Sequence, residues 1–530
     1  MEKEDAHYLI LTLLLILSLF LNLGAPPLYM EEPRRALIAL EMLYSGEYLT
    51  PTIMGELYFA KPPLFNWVIL LSAKIFGSFS EMAVRFPTVV SLLLTGLANY
   101  LFVKKYLNKK VAFYSSLFFI TSGNIYLYFS LLGEIDLFYA LLVYLSIISI
   151  FYCHREDKIV RLFIYSFALA GMGFLTKGFP SIVFLYVSLI VFFAFEGCLK
   201  RFFSLYHLLG IAVFLLITGS YFFLYSLHNP IGPFLGHLWS ESSGRTPLFN
   251  RMGTLLIHLI RFPLETLQSM LPYSLLLVFT LRRGFLREIF STPLLKFSFL
   301  IFCANYSVYL ISPGANQRYI YMLYPFAMVI FAHACFRYAL RDIKRKALLG
   351  YMTIVAVALL PVAGFLLPIL DISRTLPHVW LLSAAVITAS ILLLYLIARK
   401  REPILLFYLI ALIALRLTLD MVYLPLQGMG SLTEKESNAA RIAEITEGGT
   451  LLSYGVLDYG LIFYLERQRG EVLRRGMLDK ENGYIIAKDS SLSGGEATEY
   501  YAFDLKGEKY RLVRFRSERE SLPPTSLLQE

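Results

Sequence analysis

Charge is scarce in this chain. Lys, Arg, Asp and Glu together make up 16% of 530 residues, while 57% are hydrophobic and 15% aromatic. That scarcity excludes an ordinary soluble globular protein, and the long uninterrupted apolar runs make the chain a polytopic membrane protein. Cysteine is scarcer still. Cys153, Cys198, Cys303 and Cys335 are the only four, and none has the spacing of a thiolate metal site. The net charge of +10 does not point to nucleic acid, because in a membrane protein excess Lys and Arg mark cytoplasmic loops. No internal repeat is visible.

Apolar runs lie near 8–25, 82–103, 111–129, 133–152, 160–176, 181–196, 206–227, 267–281, 293–312, 318–336, 347–369, 377–397 and 403–421. They predict an all-α membrane domain of about 13 spans, each near the ~20 residues that cross a bilayer. The first run follows Glu2-Lys3-Glu4-Asp5, not a basic flank, so it reads as a retained helix and not a signal peptide. The run Pro63 to Gly77 is settled by charge. If it is re-entrant or interfacial and the N-terminus is cytoplasmic, six basic loops share one side. These are Lys104 to Lys110, His154 to Arg161, Lys200-Arg201, Arg282 to Arg287, Arg337 to Lys346, and Arg399 to Arg401. The positive-inside rule asks for that arrangement. All four cysteines then lie in spans or near cytoplasmic ends, which argues against structural disulfides.

Segments 26–81, 130–136, 177–180, 228–266, 313–317, 370–376 and everything after about 421 then face outward. Isolated charges stand at their membrane boundaries: Glu31, Arg34, Lys61, Arg85, Asp136, Lys177, Glu241, Arg245 and Arg318. A charge beside hydrocarbon is costly unless paired, hydrated or functional. Singly, each reads equally well as a snorkelling anchor or a helix-end ion pair. Together, on one face, they describe a polar site opening outward.

The stretch Leu28 to Lys61 is the most informative. Glu31 and Glu32 precede Pro33 at the start of a helix, Arg34 and Arg35 follow, and Ala36, Leu37, Ala39, Leu40 and Leu43 give it an apolar face. The bland reading is an amphipathic connector with solvated charges; the sharper one is a catalytic loop. Loop 228–266, with His228, His237, Trp239, Glu241, Arg245 and His258, is expected to be a mobile segment over the site. His237 and Glu241 share a helix face at i and i+4, but two ligands do not make a metal site. Ser312 to Tyr319 breaks the apolar pattern and places Arg318 where a basic residue can hold a phosphate. Beyond 421, helices at Asn438–Glu447 and Leu457–Glu466 and strands at Thr450–Ser453, Tyr484–Ala487 and Tyr510–Phe515 predict a small α/β periplasmic domain over 422–530. The membrane domain is then 1–421, and the polar end Ser517–Glu530 is expected to fray.

Glu31-Glu32-Pro33-Arg34-Arg35-Ala36, Glu41-Met42, Ser45 to Pro51 and Gly55 to Leu64 resemble the first outer loop of the aminoarabinose-transferase family. Ala83 to Pro87, Leu175 to Gly178 and Arg318-Tyr319 with Tyr324-Pro325 also fit. These are GT-C glycosyltransferases related to protein O-mannosyltransferases. The resemblance implies transfer of a sugar from a polyprenyl phosphate, in the best-known members to lipid A. It covers the membrane half well and the tail only by position. The family's Asp-Glu-x-Arg-Tyr has Glu31 for its aspartate and Arg35 for its tyrosine. Its Tyr-Phe-Glu-Lys-Pro-Pro has Ala60 for the glutamate, an acid linked in the family to metal and substrate binding. No cofactor and no metal ligand are therefore assigned; a divalent metal is left open, weakened by Ala60.

The resemblance implies Glu31 and Arg34 as catalytic residues. Glu32, Arg35, Tyr58, Lys61, Arg85, Asp136, Lys177, Glu241, Arg318 and Tyr319 are implied to bind substrate. Lys61, Arg34 and Arg318 would meet the leaving phosphate, and Glu31 would act as base for a hydroxyl acceptor or orient a phosphate acceptor. The expected partners are a polyprenyl-phosphate-linked sugar (aminoarabinose, or an acidic sugar such as galacturonate), lipid A or another envelope glycolipid, and membrane lipids. A monomer in the inner membrane is expected, with its site facing the periplasm. A protein O-mannosyltransferase-like enzyme is the nearest alternative. A transporter is the alternative of another class, but it would carry midplane charges and paired repeats. A non-catalytic lipid-binding or assembly protein is the third.

Overall fold

The computed structural model describes residues 3–244, 252–340, 343–369, 376, 378–399, 404–427, 431–455, 457–476, 483–492, 497–505 and 507–515. Arg245 and the tail Ser517–Glu530 lie outside them. The chain divides into two compact units. One comprises Met1–Leu23, Phe59–Phe65 and Arg85–Leu426, the other Gly24–Tyr58, Asn66–Val84 and Gln427–Glu530.

Among the described residues, nine helices are long and apolar enough to cross a membrane. They are Glu81–Tyr106, Ile135–Arg155, Ile159–Lys177, Leu205–Ser226, Pro293–Leu310, Gln317–Tyr338, Leu349–Leu366, Val379–Ile397 and Ile404–Gln427. The expected count of about thirteen thus reduces to nine by length and composition. Runs 8–25 and 181–196 give the shorter apolar helices Asp5–Phe20 and Pro180–Phe195. Run 111–129 breaks after Lys109–Ile120. The Thr121 and Ser122 hydroxyls turn back onto the carbonyls of Leu117 (2.6 Å) and Phe118 (2.8 Å), and the Gly123 amide leaves the helix for the Leu271 carbonyl. Run 267–281 straddles a helix end: Met252–Ser269 stops before Pro272, which lacks an N–H, and Tyr273–Phe279 is a 3-10 turn. Helix Leu64–Phe76 has 13 residues, about 20 Å of rise, and falls short of a bilayer. The expected loop 228–266 contains two helices, Ile231–Ser243 and Met252–Ser269.

Many large apolar side chains of the membrane unit stay uncovered, among them Leu216, Phe223, Trp380 and Leu381. Lipid is the solvent that suits them. Inside, polar groups are matched. Asn99 donates to Ser115 and Ser116 (3.0 and 2.9 Å) and accepts from Tyr144 (2.8 Å). Gly210 lets its helix approach Ile159–Lys177, since a Cβ there would lie 2.9 Å from the Phe167 ring. Arg416 and Asp420 are each 1% exposed and paired at 2.7 Å. Arg416 also donates to the Tyr126 carbonyl and to Ser130, and the Asp420 carbonyl accepts from Asn22.

The second unit holds a five-stranded sheet. Strands β1 (Thr52–Ile53) and β2 (Glu56–Leu57) form a separate hairpin; β3 (Leu451–Tyr454), β4 (Arg474–Arg475), β5 (Tyr484–Lys488), β6 (Ala497–Leu505) and β7 (Glu508–Phe515) make the sheet. The order is β4-β3-β5-β7-β6, with β3 parallel to both neighbours and the rest antiparallel. Helix Tyr459–Arg469 crosses from β3 to β4. Asp458 caps it through the amides of Gly460 and Leu461, and Gly470 at φ +72° ends it. Its buried face meets helix Glu32–Ser45. The Tyr464 hydroxyl accepts from the Leu28 amide (2.8 Å) and donates to Glu81 (3.1 Å), joining all three segments of this unit.

Candidate active site

In the second unit, Glu31 precedes helix Glu32–Ser45 but makes no cap hydrogen bond. Its carboxylate takes the Arg34 guanidinium one turn on, and both side chains keep about a third of their surface open, 37% and 27%. Met30 just before it sits at φ +59° and is exposed. A non-glycine residue there stores local strain of the kind that gathers at functional loops. Glu32 differs from its neighbour. It is fully buried, and its Oε2 accepts from the Tyr29 amide at 3.1 Å, so the helix-start role falls to Glu32 and leaves Glu31 outward. Arg35 is buried, and its Nη1 donates to the Tyr58 hydroxyl at 3.2 Å while its Nε finds no partner. Glu41 staples the β1–β2 hairpin to the same helix by accepting from Thr52, Met54 and Gly55.

In the membrane unit, five of the expected residues form two linked pairs and a fifth charge. Lys61 pairs with Glu241, and Lys177 with Asp136, whose second oxygen lies 3.9 Å from Arg318. Glu134, buried two residues before Asp136, also acts electrostatically on Arg318. Asp136 sits in the first turn of Ile135–Arg155, where the positive end of the helix dipole suits an anion. Lys177 ends its own helix and lies 5.0 Å from the centre of the Tyr319 ring and 5.2 Å from that of Tyr139. Lys61, Lys177, Glu241 and Tyr319 line one cavity of about 200 Å³ whose remaining wall includes Phe179, Pro180, Val183 and Ile311. A polar end and an apolar wall fit an amphiphile.

Arg85 is fully buried and donates to the Leu23 carbonyl at 2.8 Å, just beyond the first helix. Sequence reasoning missed Tyr139, buried beneath Lys177, and a larger polar cavity of about 650 Å³. Asn124, His258, Arg261, Glu265, Gln268 and Asn316 help to line it, and Ala315 and Tyr319 border both cavities. Arg261, Glu265 and Gln268, spaced i, i+4, i+7 on one helix, were the available signal.

A family profile described as dolichyl-phosphate-mannose-protein mannosyltransferase matches residues 60–222, which include Lys61, Asp136 and Lys177. An uncharacterized protein of Aquifex aeolicus is 26% identical over 67% of this chain and 68% of its own length. The undecaprenyl phosphate-alpha-4-amino-4-deoxy-L-arabinose arabinosyl transferase of Pseudomonas savastanoi pv. phaseolicola is 32% identical over 31% of each chain. The crystal structure of ArnT from Cupriavidus metallidurans bound to undecaprenyl phosphate matches with a TM-score of 0.69, at 20% identity, over 95% of this chain and 97% of that one. The chain shares the fold of ArnT. Its sequence match spans about a third of the length of the curated arabinosyl transferases, whereas the ArnT-like fold spans nearly the whole chain. Ala60 carries no carboxylate, Glu241 pairs with Lys61, and among the described residues no three His, Cys, Asp or Glu side chains converge.

Proposed function

We propose that this ArnT-like chain moves a sugar from a polyprenyl-phosphate donor to a lipid A-type acceptor at the periplasmic face of the inner membrane. The observation that carries this reading is the amphiphilic cavity with Lys61 and Lys177 at its polar end. The sugar C1–O bond to phosphate breaks, its electron pair stays with the phosphate, and an acceptor oxygen bonds C1. A phosphodiester thereby becomes a monoester and gains negative charge as it leaves. Lys61, Lys177 and Arg318 offer preorganised positive charge in a poorly solvated place, where it acts most strongly on developing charge. Glu241 and Asp136 hold those cations in position. Glu31 takes the proton of a hydroxyl acceptor, or orients Arg34 and the acceptor if that is a phosphate. The sugar is aminoarabinose or an acidic sugar such as galacturonate.

The polar cavity beside Tyr319 suits hydroxyl-rich groups, the sugar or the acceptor headgroup. A protein acceptor is the second reading, favoured by the mannosyltransferase profile over residues 60–222. Transfer from a labelled polyprenyl-phosphate sugar, with mass spectrometry of lipid A from cells with and without the protein, tests both. Label in lipid A supports the first reading, label in protein the second, and no label in either overturns the transferase.

A further inference from the structure

A second, quite different cavity lies in the membrane unit. It has about 550 Å³ between the helices Lys3–Phe20, Glu81–Tyr106 and Lys109–Ile120, and its walls are mostly apolar, with Leu9, Ile16, Leu97 and Leu117 among them. From Tyr8 to Ile16 it follows the first helix for about 12 Å, two turns. One end is charged. Lys109 pairs with Asp5 and lies 5.7 Å from the centre of the Tyr8 ring, and Lys104 lies 5.6 Å from that of Tyr100. Both tyrosines line the cavity. Lys110 is adjacent and also exposed. Lys104, Lys109 and Lys110 thus gather at this mouth with Asp5, while the neighbouring Lys105 is paired with Glu156.

This mouth is far from the candidate active site. Asp136 stands in the first turn of Ile135–Arg155, whereas Glu156, which holds Lys105, caps the other end of that helix. Twenty residues of helix separate the two by about 30 Å, a bilayer's hydrocarbon thickness. By the distribution of basic loops the mouth is cytoplasmic.

The geometry points to a binding site for an acidic phospholipid of the cytoplasmic leaflet. One acyl chain fills the groove, the phosphodiester lies between Lys104 and Lys109, and Tyr8 and Tyr100 sit at the headgroup boundary, where amphipathic rings belong. The apolar walls alone would take any lipid; the cluster of lysines supplies the selectivity.

The test uses the full chain in detergent, stripped of lipid and then offered phosphatidylglycerol or phosphatidylcholine of identical acyl chains. Bound lipid is counted by native mass spectrometry. Phosphatidylglycerol is expected to survive as a one-to-one adduct while phosphatidylcholine is lost. Lys104→Gln with Lys109→Gln should lower retention severalfold, and Thr12→Trp, which fills the groove and leaves the lysines, should do the same. Equal retention of the two lipids overturns the proposal. So does retention unchanged in both variants, or displacement of phosphatidylglycerol by stoichiometric undecaprenyl phosphate, which would make the groove a polyprenyl site. None of these readouts depends on sugar transfer.

Discussion

Lys177 and Asp136, from the end of one membrane helix and the start of the helix immediately before it in the chain, form an ion pair in which their side chains are only 10% and 2% exposed. The lysine is thereby held over Tyr319, in the cavity wall. Replacing Lys177 by Met should leave Asp136 facing Arg318 and remove one charge from the phosphate end. Transfer is expected to fall about a hundredfold, the usual cost of losing one preorganised donor. Asp136→Asn should keep the lysine but loosen it, raising the donor KM more than it lowers kcat. Steady-state kinetics on both variants decide; unchanged kinetics in Lys177→Met would remove the cavity from the reaction.

Glu31 and Glu32 are adjacent and do different things. Glu31→Gln should abolish most transfer while folding and donor binding persist, because Gln neither accepts a proton nor pairs with Arg34 as a charge. Glu32→Gln should cost about 1 kcal/mol of stability, the scale of a helix-start contact, with turnover largely kept. Turnover and thermal stability measured together separate the two. Full activity in Glu31→Gln would end its catalytic assignment.

In the second unit, burial pushes the Glu466 carboxyl well above the usual carboxylate range, and the negative charge of Glu41 adds to the push. The folded state then holds a proton that the unfolded chain releases. The stability this group contributes is full below the unfolded carboxylate pKa and is lost as pH rises through the window up to the raised folded pKa. Glu466→Gln should flatten that slope and leave the unit more stable than the wild type at neutral pH, since the amide oxygen still accepts from Leu473. Amide hydrogen exchange of helix Tyr459–Arg469 between pH 5 and 8 reads this; an unchanged slope contradicts it.

Arg416 and Asp420 should behave as a buried pair. Arg416→Met strands the carboxylate and is expected to cost about 3–5 kcal/mol, while adding Asp420→Leu should recover much of it. Thermal unfolding in one detergent compares the three proteins. Equal stability of Arg416→Met and wild type would show that the pair is hydrated.

The topology has its own check. In a cysteine-free background, cysteine at Glu56 or Glu471 should react with an impermeant thiol reagent on intact spheroplasts, and cysteine at Arg283 should not. The reverse pattern would invert the proposed periplasmic site.

Much of this was legible because membrane physics simplifies the reading. Lys61, Asp136, Lys177, Glu241 and Arg318 stood out as charges at one predicted boundary, and a shared boundary is what lets distant residues meet. Arg85 stood out equally and also reaches the Leu23 carbonyl, a contact that sequence does not announce. The polar cavity draws on 123–124, 258–268 and 313–319, three stretches with no common pattern. Strand β6 was missed because a bulge between Glu499 and Tyr501 interrupts the alternation that marks a strand. The broken run 111–129 looked continuous because the hydroxyls of Thr121 and Ser122 and the redirected Gly123 amide barely lower its hydropathy.

The bond from the Leu28 amide to the Tyr464 hydroxyl spans 436 residues. A ribosome adding about 5–20 residues per second needs roughly 20–90 s to cover that distance. Throughout that time the first outer segment is already made, yet the helix against which Glu32–Ser45 buries its face has not been synthesised. Until Tyr459–Arg469 is made, helix Glu32–Ser45 has the β1–β2 hairpin against it but not the helix that covers its buried face.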